Sequence, residues 1–248
     1  MSLLAGAVVL LASLVTATVS GVLGMAGGLL LMGVLLLVLP TAVAFVVHGL
    51  LQLVSNGWRA VLHRAHVQWL VIGWYAIGSV TAAAALAAVS YVPDKQVSYL
   101  LLGLVPGLVW LPRSSLALDV TRRPQAVLAG LLTTGVNLVA GVSGPLLDVF
   151  FVRARLGRHA VVATKAATQV LAHLAKVAVY GLALADEGTA VPYVVVLLAV
   201  PLSMLGTVLG GRVLDRMTDA SFAAVTRWVV TAIGAAYLVQ AARLSLAG

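Results

Sequence analysis

The sequence contains no cysteine, which removes disulfides, thiol catalysis and cysteine-ligated metals and leaves the redox compartment unspecified. Charge is scarce too: 9% of the 248 residues are Asp, Glu, Lys or Arg, against about 25% in an ordinary globular domain. Also missing are HExxH, GxSxG, Walker A and GxGxxG motifs in a suitable context. With no plausible nucleophile and base pair and no metal-ligand cluster, the sequence gives no reason to expect an enzyme, a cofactor or a metal.

What the sequence has in abundance is apolar residues, 62% of the chain. A soluble domain cannot hide that much apolar surface. At about 20 residues per crossing, the apolar stretches suffice for roughly eight to ten spans. The whole chain therefore reads as the membrane part, with the lipid bilayer as its main partner. A net charge of +8 would suggest nucleic acid in a soluble protein, but here the basic residues stand at segment ends and read as orientation signals, not as a nucleic-acid surface. Met1 to Ser20 lacks the basic start of a signal peptide, and its apolar run continues to Leu39, so it reads as a retained first span.

Apolar runs lie at 3 to 20, 28 to 39, 41 to 62, 67 to 90, 97 to 111, 126 to 141, 145 to 152, 160 to 184, 190 to 211 and 220 to 242. Arginines gather between some of them: Arg59 and Arg64, Arg113 with Arg122 and Arg123, Arg153, Arg155 and Arg158, then Arg212 and Arg216. Arginine-rich loops belong in the cytoplasm. Placing those four inside, and the Tyr91 to Gln96 and Ala185 to Thr189 loops outside, gives a regular alternation with both termini outside. Trp58, Trp69, Trp74, Trp110 and Trp228 fall mostly near predicted interfaces.

The chain also repeats itself. An offset of 117, the difference between positions 48 and 165, carries Gly24, Gly27 and Leu29-Leu30 onto Gly141, Gly144 and Leu146-Leu147. The same offset carries Ser20 to Asn137, His48 to Lys165, Gln52 to Gln169, Asn56 to His173 and Arg59 to Lys176. Each half, 1–116 and 117–248, holds five apolar runs. An odd number makes the second half enter from the opposite side, so the expected fold is an all-α transmembrane bundle of two inverted-topology repeats. If the short first pair of each half is re-entrant, three crossings remain, and the parity holds.

Two features could carry chemistry. Gly24-Met25-Ala26-Gly27-Gly28 and Gly141-Val142-Ser143-Gly144-Pro145 each interrupt an apolar run. Half-helices starting after Gly28 and Gly144 would present unpaired N–H groups, an end that attracts anions. The competing explanation is close helix packing through the Gly24 and Gly28 pair. The second feature is a polar stripe of His48, Gln52, Asn56 and Arg59, matched by Lys165, Gln169, His173 and Lys176, each at spacings of 4, 4 and 3 on one helical face. Intramembrane ionisable groups usually face a cavity or a partner. Lys165 is the strongest candidate for contacting an anion, with pairing to Asp148 as the structural alternative. Asp148, His48 and His173 are candidates for proton coupling.

With its early break SGVLGMAGG, the partner NLVAGVSGP and a polar helix after each, the chain resembles the sulfite exporter TauE/SafE family over essentially its whole length. The resemblance implies an inner-membrane permease for sulfur-containing anions such as sulfite or sulfonates, often considered exporters, with the proton gradient as a driving force. One departure is Pro145, where the first half has Gly28; proline donates no amide hydrogen bond, so the half-sites are not equivalent. The expected anion site lies between the two breaks and comprises Ser20, Gly24, Gly27, Gly28, His48, Gln52, Asn137, Gly141, Ser143, Gly144, Lys165 and Gln169. A passive anion channel of similar construction is the alternative, an intramembrane enzyme a more distant one. A homo-oligomer is left open.

Overall fold

A computed structural model describes residues 2–89, 91–110, 118–186 and 189–247. Among them the structure is helical throughout: α1 (Leu3–Leu23), α2 (Met25–Val38), α3 (Thr41–Leu62), α4 (Trp69–Val89), α5 (Lys95–Leu104), α6 (Arg123–Ala140), α7 (Gly144–Phe151), α8 (Arg158–Asp186), α9 (Tyr193–Leu214) and α10 (Asp219–Ala247). Each falls on one apolar run of the sequence, and a 3₁₀ segment, Val105–Trp110, extends α5 to the end of its run. Arg113 and Glu187 of the predicted loops, and the expected boundary between residues 116 and 117, lie outside the described residues.

Local chemistry sets several helix starts. The Ser2 hydroxyl accepts from the Ala5 N–H, and the Asp94 carboxylate accepts from the Val97 N–H at 2.7 Å, so each satisfies a first-turn donor. Proline stands in the first turn of both α6 and α7, where a missing N–H costs nothing.

Five helices, α1, α4, α8, α9 and α10, are long and apolar enough to cross a bilayer. α3, with 22 residues, is as long as α9 but carries the polar stripe. α2 and α7 are shorter, 14 and 8 residues, or about 21 and 12 Å at 1.5 Å per residue. Neither length fills a hydrocarbon core of about 30 Å.

Large apolar side chains cover the outside of the helices as well as filling the core, and several polar groups are buried. Leu11, Ile77, Leu197 and Trp228 are exposed at 65%, 51%, 72% and 65%, while Ser13, His48, Thr133, Asn137, Thr168 and Lys176 are all at or below 1%. An apolar outer surface with polar groups sheltered inside is what a lipid solvent demands. The chain is a multi-pass membrane protein.

The largest helix interfaces are α1 with α9, α4 with α6, α3 with α8 and α5 with α10. Glycine makes the first two close. A Cβ on Gly210 would lie 2.2 Å from the Thr18 carbonyl oxygen, and one on Gly130 would lie 2.0 Å from that of Tyr75. Residues 14 to 18 of α1 sit beside Gly206 and residues 18 to 21 beside Gly210, so α1 and α9 run parallel. α3 and α8 run antiparallel: Gly49 faces Val177, and Gly57 faces Val170.

Candidate functional site

Both predicted interruptions are present, and each turns on one glycine. Gly24 (φ 69) and Gly141 (φ 84) are the positive-φ glycines of the described chain, and they are related by the 117-residue offset. Positive φ costs an L-residue about 1–2 kcal/mol, so glycine ends these helices where other residues would continue them. The Gly24 N–H donates to the Ser20 carbonyl at 2.9 Å and the Gly141 N–H to the Asn137 carbonyl at 3.0 Å, again at matched positions.

The first break is shorter than the sequence suggested. α2 starts at Met25, not after Gly28, so the interruption is Gly24 alone and Gly27 and Gly28 lie within the first turn. The reason is packing: a Cβ on Gly27 would sit 2.1 Å from the Thr16 carbonyl oxygen, so this glycine lets α2 fold back against α1. Gly28 faces the Gln52 amide, which a Cβ there would approach at 3.5 Å. The second break spans three residues, Gly141 to Ser143, and α7 begins at Gly144, one residue earlier than expected, with Pro145 in its first turn.

The polar stripes of α3 and α8 meet. The His48 Nε2–H donates to the Gly28 carbonyl at 3.0 Å, and Lys176 Nζ donates to His48 Nδ1 at 2.8 Å. Lys176 also donates to the Gly141 carbonyl at 2.7 Å and to Asn137 Oδ1 at 3.3 Å. A continuous chain, Gly28, His48, Lys176, Gly141, therefore joins the first turn of α2 to the second break inside the protein. The imidazoles of His48 and His173 stand edge to face at 5.5 Å, and the Phe45 ring lies beneath the Lys176 ammonium at 5.5 Å. Asn137 is fixed by its own Nδ2, which donates to the Ala172 carbonyl at 3.1 Å.

Arg59, which the offset relates to Lys176, reaches the other break in a similar way. Its Nη2 donates to the Ser20 carbonyl at 3.0 Å and approaches Ser20 Oγ at 3.4 Å, while Ser20 Oγ donates to the Gly24 carbonyl at 2.7 Å. Lys176 thus caps the Gly141 carbonyl, and Arg59 shares the Ser20 carbonyl with the Gly24 N–H; both cations stand at the negative end of the helix preceding a break. The amide ends of α2 and α7, on the other side of each break, receive no cation.

Lys165 is engaged differently. Its ammonium forms an ion pair with Asp148 on α7, the alternative partner weighed from the sequence; the two side chains are 30% and 35% exposed. Eleven residues separate it from Lys176 on α8, about 16 Å of helix. Lys176 and Arg59 were on the predicted stripe but outside the predicted anion shell. The signal that could have singled them out is the joint offset of positions 20, 24 and 59 onto 137, 141 and 176.

Three buried polar atoms near these elements have no hydrogen-bond partner among the described residues: Ser143 Oγ, Gln169 Nε2 and His173 Nδ1. Gln52 is bonded instead by Asn56, whose Nδ2 donates to the Gln52 carbonyl and side-chain oxygens at 3.0 and 3.1 Å. A largely apolar cleft of about 870 Å³ lies between α4 and α8, lined by Ser79, Ala83, Leu174, Ala178 and Tyr180 among others. Its polar floor touches α6: the Tyr180 hydroxyl donates to the Leu138 carbonyl at 2.5 Å, and Thr134 Oγ1 donates to Ser79 Oγ at 2.8 Å.

A family model described as Sulfite exporter TauE/SafE matches residues 9–237 of the chain. No curated protein and no solved structure matches it.

Proposed function

The chain belongs to the sulfite exporter TauE/SafE family, and from that premise we propose that it carries a small sulfur oxyanion, sulfite or an organosulfonate, across the cell's inner or plasma membrane by alternating access. The observation that carries this reading is the chain of hydrogen bonds joining the first turn of α2 to the second helix break through His48 and Lys176. With Arg59 and Lys176 at the carbonyl side of each break, the first-turn amides of α2 and α7 are left as donors for an oxyanion. Ser143 Oγ, Gln169 Nε2 and His173 Nδ1, buried atoms without a hydrogen-bond partner among the described residues, supply further polar contacts. An oxyanion of sulfur has several acceptor oxygens and suits a site built mainly of donors. Gly24, Gly28, Gln52 and Gly144 complete the shell, while Gly27 holds α2 against α1.

Alternating access is supported by the pairing of elements. α1 with α9, α4 with α6, α3 with α8 and α5 with α10 are each pairs that an inverted repeat of five elements would exchange or relate to themselves. The inverted repeat, both termini outside and the arginine-rich loops inside form one consistent topology. In it the cleft between α4 and α8 leads toward the last turn of α6 from the outer side. The Lys165 and Asp148 pair marks the inner approach.

The test is labelled sulfite flux in liposomes holding the purified protein. Saturable uptake, accelerated by sulfite inside and inhibited by a short sulfonate, is expected. Linear flux without acceleration would make the protein a channel, and no sulfite or sulfonate flux would reject the reading. Lys165→Ala should abolish saturable uptake while leaving folded protein in the membrane; unchanged affinity and rate would remove Lys165 from the pathway.

A further inference from the structure

Lys176 is wholly buried, and among the described residues it has no carboxylate within ion-pair distance. Its surroundings fix its protonation by counting. A carbonyl only accepts, so the bond to Gly28 requires the proton of His48 on Nε2 and leaves Nδ1 as a bare acceptor. Asn137 Nδ2 donates to the Ala172 carbonyl, so its Oδ1 is the end that faces Lys176. The ammonium then has three N–H groups for three acceptors, His48 Nδ1, Asn137 Oδ1 and the Gly141 carbonyl. A neutral amine has two N–H groups and would leave one acceptor unpaired. The geometry is that of the charged lysine.

Such a buried charge is costly unless something offsets it. The neighbouring titratable groups do not. On α3 these are His48 itself and Arg59, which is held by Ser20. On α8 they are His173 and Tyr180, whose hydroxyl is bound to Leu138; on α4, Tyr75 is bonded to Thr133, and α2 and the end of α6 at Asn137 present none. Asp148 on α7 is held by Lys165.

Resting on the transport reading above, we propose that Lys176 is the proton carrier of the cycle: the anion supplies the missing counter-charge, so one proton on Lys176 and one anion load and leave together. On loading, the lone pair of Lys176 Nζ takes a proton from water and becomes the ammonium. On release, one N–H bond breaks, its electron pair stays on Nζ, and the proton passes to His48 Nδ1. The imidazolium so formed returns a proton to water on the release side, and His173, whose Nδ1 is unpartnered, is the next imidazole along that route. Arg59 does not share this role, because a guanidinium keeps its proton.

The experiment uses the full-length protein in liposomes with the membrane potential clamped, and labelled sulfite corrected for protein-free liposomes. Two quantities are read: sulfite exchange across a range of equal pH on both sides, and net accumulation driven by a pH gradient. The wild type should exchange, and a pH gradient should raise accumulation severalfold. Lys176→Arg should exchange more slowly, with a flat pH profile and no response to the gradient. Retained gradient-driven accumulation in Lys176→Arg overturns the proposal, as does a wild type that exchanges sulfite but ignores the gradient; both leave the transport reading intact. A wild type that does not exchange sulfite rejects the transport reading, and this proposal with it. If Lys176→Arg aggregates, His48→Gln carries the same comparison, since a carboxamide accepts the lysine's hydrogen bond but not its proton. A normal gradient response in His48→Gln likewise overturns the proposal, and a wild type that ignores the gradient overturns it without either variant.

Discussion

Arg59 and Lys176 stand 117 residues apart in sequence and each reaches the end of a helix before a break, yet their settings differ. Arg59 is part-exposed, and its recorded hydrogen bonds go to one residue, Ser20. Lys176 is wholly buried and bonds to three groups on three elements, namely α3, α6 and the turn at Gly141. The first is a permanent charge at a partly exposed site; the second is a titratable amine at a fully buried one. Positions joined by the 117-residue offset thus have different surroundings, and the proline at 145 opposite Gly28 makes the same asymmetry on the amide side.

The largest effect should come from the first break. Gly27→Val forces a side chain into the Thr16 carbonyl, an overlap that α1 and α2 cannot absorb without separating. No monodisperse folded protein is expected on size-exclusion chromatography in mild detergent. Recovery of a well-folded, active variant would mean that the α1–α2 hairpin is not needed at this break.

Next is the contrast between the cations. Lys176→Met leaves His48 Nδ1, Asn137 Oδ1 and the Gly141 carbonyl unpaired, at about 1–3 kcal/mol for each buried group left unsatisfied. Arg59→Met, at a part-exposed site where water can replace the guanidinium, should cost about 1 kcal/mol. Thermal unfolding in detergent should separate the two clearly, with Lys176→Met the lower; equal shifts would erase the distinction between the buried and the partly exposed site.

A smaller effect separates the glycines. A Cβ at Gly24 meets nothing within 4 Å, whereas at Gly141 it meets Met32 at 3.0 Å. Counting contacts alone would make Gly141→Ala the worse variant. Backbone conformation reverses the order: Gly141 is left-handed α (φ 84, ψ -19), which alanine tolerates at about 1–2 kcal/mol, and Met32 is a flexible side chain. Gly24, at φ 69 and ψ -100, is in a region that only glycine occupies readily. Gly24→Ala should therefore unfold at the lower temperature.

The smallest effect concerns pH at the end of α3, outside the spans. His63 packs near His159 at 6.1 Å between ring centres, and His159 stacks on His66 at 5.4 Å. Burial first, then the charges of His159, His66 and Arg59, hold the His63 imidazole below its ordinary 6.5. A base whose pKa is lowered by folding loses stability as pH falls through its unfolded value toward the lower folded one. Stability should thus decline as pH drops below about 6.5, and His159→Gln should soften the decline. An unchanged acid limb in that variant would remove His159 as a cause.

Much of this was legible in the chain itself. Apolar runs separated by glycine breaks, prolines and charged loops marked the ten α-helices of the described residues, because apolar run length is a local property. Gly24 and Gly141 were legible as breaks because glycine-rich motifs interrupt otherwise unbroken apolar runs at a fixed offset. What was hidden depends on neighbours far away in sequence. Lys165 and Lys176 lie on one stripe and look alike; Asp148 lies across from one and Asn137 with Gly141 across from the other, and only the passage of α8 beside α6 and α7 decides which. Gly27 read as part of the break for the same reason, since its contact with Thr16 exists only once α2 has folded back on α1.

The four largest interfaces join a helix from the first 116 residues to one from the rest. A nascent chain emerging from the ribosome therefore cannot complete its core until the final segments are made: α1 must wait through most of translation for α9. Biogenesis of this protein is an end-loaded process in which α1, with its face at Leu14, Thr18 and Gly21 not yet covered by α9, depends on the insertion machinery or on lipid to shelter it.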